Sequence, residues 1–172
     1  MKFLAKGKRG NAYLTDKGTI IKKAAENRIE NEIYWLKKLN KYSIGPKLIN
    51  YGWDFIEIEY VNGELIGDYL AKSSKKKSIR DCLKQCRIMD KLKVNKKEMT
   101  NPYKHIIIVK DKAKFIDFER CKITPNPKNV TQFLQYLAKK GFVDMKVAEP
   151  LLKEYKINQN DKNFKKIIGI IN

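Results

Sequence analysis

Ile29, Glu32, Leu36 and Leu39 follow one another at spacings of 3, 4 and 3 in the stretch AENRIENEIYWLKKLN, with Ile33 beside them. Residues 25 to about 40 therefore read as a helix, and Glu32 rides on its apolar stripe. A carboxylate buried there without a partner is strongly unfavourable. The helix must therefore pack against an element that offers a cation. The preceding segment TIIK reads as a strand in which Ile20 and Lys22 share a face, so a long cation emerges beside an apolar patch. Lys22 and Glu32 are explained together better than separately, although Lys23 remains a competitor on the opposite face.

The elements around this helix follow from the same kind of pattern. Residues 2 to 24 read as short strands around turns, with Asp16-Lys17-Gly18 closing a tight hairpin. SIGPKLINYG reads as a turn leading to a strand. FIEIEYV alternates with period two, placing Ile56, Ile58 and Tyr60 on one face. NGE breaks that pattern and LIGDYLAK begins a helix, so the chain is cut here into a mainly β part over residues 1–61 and a mainly helical part over 62–172. In the latter, the Lys/Ser tract at 72–77 reads as loop. Ser78 reads as the N-cap of a helix with the stripe Ile79, Cys82, Leu83, Cys86, Met89 and Leu92. NKKEMTNPYKH has no period and is expected to be loop, and IIIVKDKAKFIDF is expected to form two short strands about a Lys-Asp-Lys turn. Three more helices are expected: NVTQFLQYLAKK stopped by Gly141, DMKVAEPLLKEY, and NFKKIIGII.

Composition narrows the class without naming a mechanism. With 172 residues, 42% hydrophobic and 33% charged, the chain has the balance of a globular protein rather than a disordered one. No apolar run approaches the ~18 residues needed to cross a membrane. MKFLAKGKRG has too short an apolar core for a signal peptide, so a cytoplasmic protein is expected. Cys82, Cys86 and Cys121 read as reduced thiols, and a single His in the chain argues against a zinc site. The net charge of +19 comes almost wholly from Lys. It is open to a compositional reading or to a functional one, attraction to polyanions such as RNA, a ribonucleoprotein or nucleotide phosphates.

Two further segments carry chemistry. AKGKRGNAYL puts Gly7 and Gly10 three apart on a β-turn-β element. Glycines there let backbone N–H groups approach a phosphate, and Lys6, Lys8 and Arg9 bias the spot toward anions. IDFERC places Asp117 and Glu119 directly after the apolar pair Phe115 and Ile116. A carboxylate at the end of such a strand is either a surfacing chain end or a metal ligand.

The order glycine hairpin, strand lysine, helix glutamate, extended strand into EYVNGELIGDYL, long helix, loop, strand pair and DFE resembles the protein-kinase-like fold over roughly residues 4 to 140. AKGKRGNA is similar to the G-x-G-x-x-G-x-V loop, with Ala5 at the first glycine and Ala12 at the valine. The resemblance implies a two-lobed α+β fold that binds ATP with Mg²⁺ or Mn²⁺. It makes Lys22 the lysine on the phosphates and Glu32 its partner. Ala5, Gly7, Gly10, Ala12 and Ile20 would line the nucleotide, with Glu59 and Val61 bonding adenine through the backbone beside Ile58. Asp117 would be the metal ligand. The absence of an A-P-E segment makes the chain similar to the compact archaeal predicted Ser/Thr kinases, akin to RIO kinases and the small kinases attached to tRNA modification.

The catalytic-loop segment departs from that pattern. Where the family reads H-R-D-x-x-x-x-N, EMTNPYKH puts Thr100 at the Asp position and His105 at the Asn position. Thr is no general base, and Mg²⁺ prefers oxygen to imidazole. Glu98 or His105 would have to act as base, and His105 as a second metal contact. The resemblance thus implies a Ser/Thr protein kinase of minimal type with an unknown protein acceptor. The altered loop keeps open a nucleotide-binding pseudokinase acting as a basic RNA or ribonucleoprotein adaptor, or a small-molecule kinase.

Overall fold

The computed structural model describes residues 1–7, 10–24, 26–72 and 76–171, with the backbone alone for residues 5–7 and 26–28. Lys8, Arg9 and the side chain of Lys6, expected to face a phosphate, lie outside the described residues, as do residues 73–75 of the Lys/Ser tract. The fold is α+β, with a five-stranded antiparallel sheet and six α-helices among the described residues. The chain divides into two compact units, Met1–Asn62 with Lys114–Cys121, and Gly63–Ala113 with Lys122–Asn172. A single cut at 61–62 does not express this division, because the segment carrying Asp117 returns to the first unit.

The first unit is built on strands β1 (Lys2–Gly7), β2 (Gly10–Leu14) and β3 (Thr19–Ala24), helix α1 (Glu26–Leu39), and strands β4 (Leu48–Tyr51) and β5 (Phe55–Glu59). The sheet order is β1-β2-β3-β5-β4. Register sets Ala12 opposite Lys22 and Ile20 opposite Ile58. One face of the sheet is covered by α1, which buries Ile29, Ile33, Trp35, Leu36 and Leu39 together with Ile56 and Ile58. Each such side chain contributes about 1.5–3 kcal/mol of apolar burial. Tyr60 does not continue the alternation expected of it. β5 ends at Glu59, and Tyr60 is exposed.

The second unit comprises β6 (Glu64–Leu65), α2 (Ile66–Lys72), α3 (Lys76–Lys91), β7 (Val94–Asn95), β8 (Ile106–Val109), β9 (Lys112–Phe115, whose last two residues belong to the first unit), β10 (Lys122–Ile123), α4 (Asn129–Lys139), α5 (Met145–Ile157) and α6 (Asp161–Gly169). Its helices bury Cys82, Leu83, Cys86, Met89, Phe133, Leu134 and Tyr155. Ser78 is not the N-cap of α3, which begins earlier at Lys76. Its hydroxyl is buried and shares a hydrogen bond with Tyr69 Oη at 3.0 Å. The segment expected to be bare loop instead holds β7 and a 3-10 turn over Lys97–Thr100, and β7 pairs with β10. The turn between β8 and β9 has positive φ at Lys110 and Asp111 (48° and 66°), the conformation that closes a two-residue hairpin.

Polar groups inside this unit tie its helices together. Asp90, at the end of α3, accepts hydrogen bonds from Asn129 N (3.0 Å), Asn129 Nδ2 (2.7 Å), Val130 N and Tyr155 Oη (3.0 Å). It thereby satisfies orphan donors at the start of α4. Burial pushes the Asp90 carboxyl above its usual range, and these donors only partly offset that rise. All three cysteines are buried and unbridged, and burial raises the Cys82 and Cys86 thiols well above their ordinary value. Among the described residues no helix is long and apolar enough to cross a membrane.

Candidate functional site

Lys22 projects from β3 on the face turned toward α1, and its Nζ donates to Glu32 Oε1 at 2.8 Å. The Glu32 side chain is 6% exposed and that of Lys22 28%. Lys23, one residue on, sits opposite Phe55 and is exposed. The pairing required by the place of Glu32 on the helix stripe is therefore present, and Lys22 makes it. Two further carboxylates, Asp117 and Glu119, act on the same ammonium. Burial lowers the Lys22 pKa more strongly than any single neighbour raises it. Glu32, Asp117 and Glu119 together nevertheless hold it above the ordinary lysine value.

The strand-end segment is held from α1. Asn31 Nδ2 donates to the carbonyls of Glu119 (2.6 Å) and Cys121 (3.2 Å), and Trp35 Nε1 donates to the carbonyl of Cys121 at 3.0 Å. Phe118 is fully buried and lies against Gly45. A Cβ on Gly45 would meet Phe118 Cε2 at 2.8 Å, and the glycine's φ of +85° is one that other residues adopt with difficulty. Just before the buried ring and the held carbonyls, Asp117 adopts φ 65°. Asp is one of the few non-glycine residues that visit the left-handed region as single residues, and a carboxylate held there is a reason to ask what it does.

The sequence reading missed Asn31, Trp35 and Gly45 as positioning residues. An Asn in a helix interior, two residues after Ile29 and next to Glu32, was the available signal, because such a residue is unfavourable unless its side chain has a partner.

The glycine hairpin is formed with Gly7 opposite Gly10 and Ala5 opposite Ala12. Gly10 has a local reason to lack a side chain: a Cβ there would lie 2.2 Å from the carbonyl oxygen of Lys23. The sheet alone therefore requires it. Glu59 ends β5, and its carboxylate accepts from Lys47 N (3.0 Å) and Lys114 Nζ (3.2 Å). Burial raises that carboxyl, but these two partners outweigh it and leave the pKa below its usual value. Val61 lies just past the strand, half-buried.

The loop residues belong to the second unit. Thr100 ends the 3-10 turn and is exposed. Glu98 accepts from Lys96 Nζ at 3.1 Å, with the lysine side chain fully buried and the glutamate side chain 8% exposed. His105 lines a hollow of about 290 Å³ with Asn101, Tyr103, Lys104 and Lys140.

Among the described residues no three His, Cys, Asp or Glu side chains are arranged to hold a metal ion. Asp117 and Glu119 nevertheless offer the hard oxygen donors that Mg²⁺ prefers, an ion that takes one or two carboxylates and completes its shell with water and phosphate oxygens. The chain matches no protein-family model, and comparison with curated proteins finds no significant match.

Proposed function

We propose that the chain is an ATP-dependent phosphotransferase of the two-lobed protein-kinase-like fold, acting as a minimal Ser/Thr protein kinase. The observation that carries this reading is the Lys22–Glu32 pair at 2.8 Å, with Asp117 at φ 65° and its charge acting on the same ammonium. In this reading Lys22 binds the α- and β-phosphates and is aimed by Glu32, while Asp117 holds the Mg²⁺ that neutralises charge on the transferred phosphoryl group. The Gly7–Gly10 hairpin offers backbone N–H groups to the phosphates, and the end of β5, from Glu59 to Val61, meets the adenine.

Thermal unfolding with and without Mg-ATP tests the nucleotide site. A ligand that binds only the folded state at a hundredfold excess over its Kd adds about 2.7 kcal/mol. No shift at saturating nucleotide refutes the proposal. Transfer of labelled phosphate from ATP, lost in Asp117→Asn while the fold survives, tests the chemistry.

A second reading has its own observation. Glu98, one of two residues available as general base, is engaged by a fully buried lysine, and Thr100 cannot accept a proton at neutral pH. That favours a pseudokinase that binds nucleotide without turning it over. A thermal shift with no phosphate transfer under any divalent metal selects it.

A further inference from the structure

Trp53 is 74% exposed at the tip of the β4–β5 hairpin. Gly52 N donates to the carbonyl of Phe55 at 2.9 Å, which leaves Trp53 and Asp54 as the two loop residues. Along the adjoining strand Tyr51 is 47% exposed, and α1 contributes Tyr34 at 49%. Lys37 joins the two elements: its Nζ donates to Tyr51 Oη at 2.7 Å and lies 3.9 Å from the ring centroid. Lys38 Nζ lies 5.5 Å from the Trp35 ring and 6.0 Å from that of Tyr34. Tyr34, Lys37 and Lys38 share the outward side of α1, and β4 is the last strand of its sheet. Scattered single exposed apolar residues need no explanation, but two exposed aromatics two residues apart on one hairpin, tied by Lys37 to a helix that exposes a third, do.

We propose that this surface is a stacking platform for an unpaired RNA strand, with Trp53, Tyr51 and Tyr34 offering faces to bases and Lys37 and Lys38 meeting phosphates. Rings interleaved with ammonium groups are what a sequence-tolerant single-strand site needs, since every base has a π-face and every linkage a charge. The same mixture suits a protein interface poorly, because the core of such an interface is depleted in lysine. A second copy of this chain is opposed by the net charge of +19 on each molecule. Duplex RNA offers phosphates but no free base faces, so it would leave the rings unused. None of these residues belongs to the proposed nucleotide site, and the inference does not depend on it.

Trp35 is buried and Trp53 is not, so acrylamide quenching of intrinsic fluorescence reports on Trp53. Titration with a short oligouridylate at low salt is expected to shield Trp53 from acrylamide. Fluorescence anisotropy of a labelled strand is expected to show Trp53→Ala binding about tenfold more weakly. The double variant Lys37→Gln/Lys38→Gln is expected to lower the slope of log affinity against log salt by about 1. A duplex of equal length is expected to bind wild type and Trp53→Ala alike. Trp53 is an exposed loop residue, so the variant keeps its fold, which circular dichroism checks. The proposal is overturned if oligouridylate does not bind, if Trp53→Ala binds it as wild type does, or if Trp53 stays open to acrylamide at saturation. Shielding of Trp53 by raised protein concentration alone would assign the surface to a second copy and overturn it too.

Discussion

Removing either member of the Lys22–Glu32 pair should destabilise the first unit, but by unequal amounts. Two unit charges 2.8 Å apart attract by about 6 kcal/mol at an effective dielectric constant of about 20, most of which desolvation offsets. Breaking a fully buried pair costs about 3–5 kcal/mol through the charge left behind. Lys22→Met takes the ammonium from the buried Glu32 carboxylate, which keeps a long hydrogen bond from Phe118 N at 3.5 Å. Because the Lys22 side chain is 28% exposed, water screens part of the loss, so about 3 kcal/mol is expected. Glu32→Gln leaves Lys22 still attracted by Asp117 and Glu119, and the amide oxygen can accept the same hydrogen bond. About 1–2 kcal/mol is expected there.

The double variant should fall short of the sum by about 1–2 kcal/mol, because removing the Glu32 charge relieves the harm done by losing Lys22. Urea unfolding with linear extrapolation measures all four corners of this cycle. The pH dependence adds an independent check. The folded-state pKa of Lys22 is raised, so its contribution is full below the ordinary value of 10.5 and is lost as pH climbs through the folded value above it. Wild type should lose this stability only in strong alkali, and Lys22→Met should lack that component. Equal costs for the two single variants, or strict additivity, would refute the reasoning.

Asp117→Gly is expected to keep the fold by circular dichroism, since glycine adopts the left-handed backbone freely, while abolishing any Mg-ATP thermal shift. Gly10→Ala brings a Cβ 2.2 Å from the Lys23 carbonyl oxygen, so the sheet must shift, and a lowered urea midpoint equivalent to about 1–3 kcal/mol is expected. Asp90→Ala strips the start of α4 and Tyr155 Oη of their acceptor, and about 3 kcal/mol of stability should go with it in the same assay.

The sequence made the Lys22–Glu32 pairing legible because a stripe with a fixed period exposes a misfit, and a buried carboxylate has few remedies. Helix α1, β5 and the closing Gly141 were legible for related reasons, since period and punctuation are local properties. The caps were less so. Ser78 matched the composition of an N-cap, yet helix formation began two residues earlier and its hydroxyl went to Tyr69, a partner nine residues back that no local rule supplies. Nothing local marks Asp90 either, since its partners Asn129 and Val130 come from 39 and 40 positions away. The return of residues 114–121 to the first unit was not legible either. It rests on Asn31 and Trp35 reaching carbonyl groups, and carbonyls carry no trace in sequence.

Charge links what composition says about the whole chain to what the site asks of a few residues. The molecule carries +19, yet three carboxylates, Glu32, Asp117 and Glu119, act on Lys22. Glu32 makes the hydrogen bond to its ammonium, and the other two act on it through charge. In the proposed reading a divalent cation would meet Asp117, and the basic remainder of the chain would draw in the polyphosphate that such a cation accompanies. In the loop, by contrast, Glu98 pairs with the buried Lys96, and His105 lines its hollow together with Lys104 and Lys140.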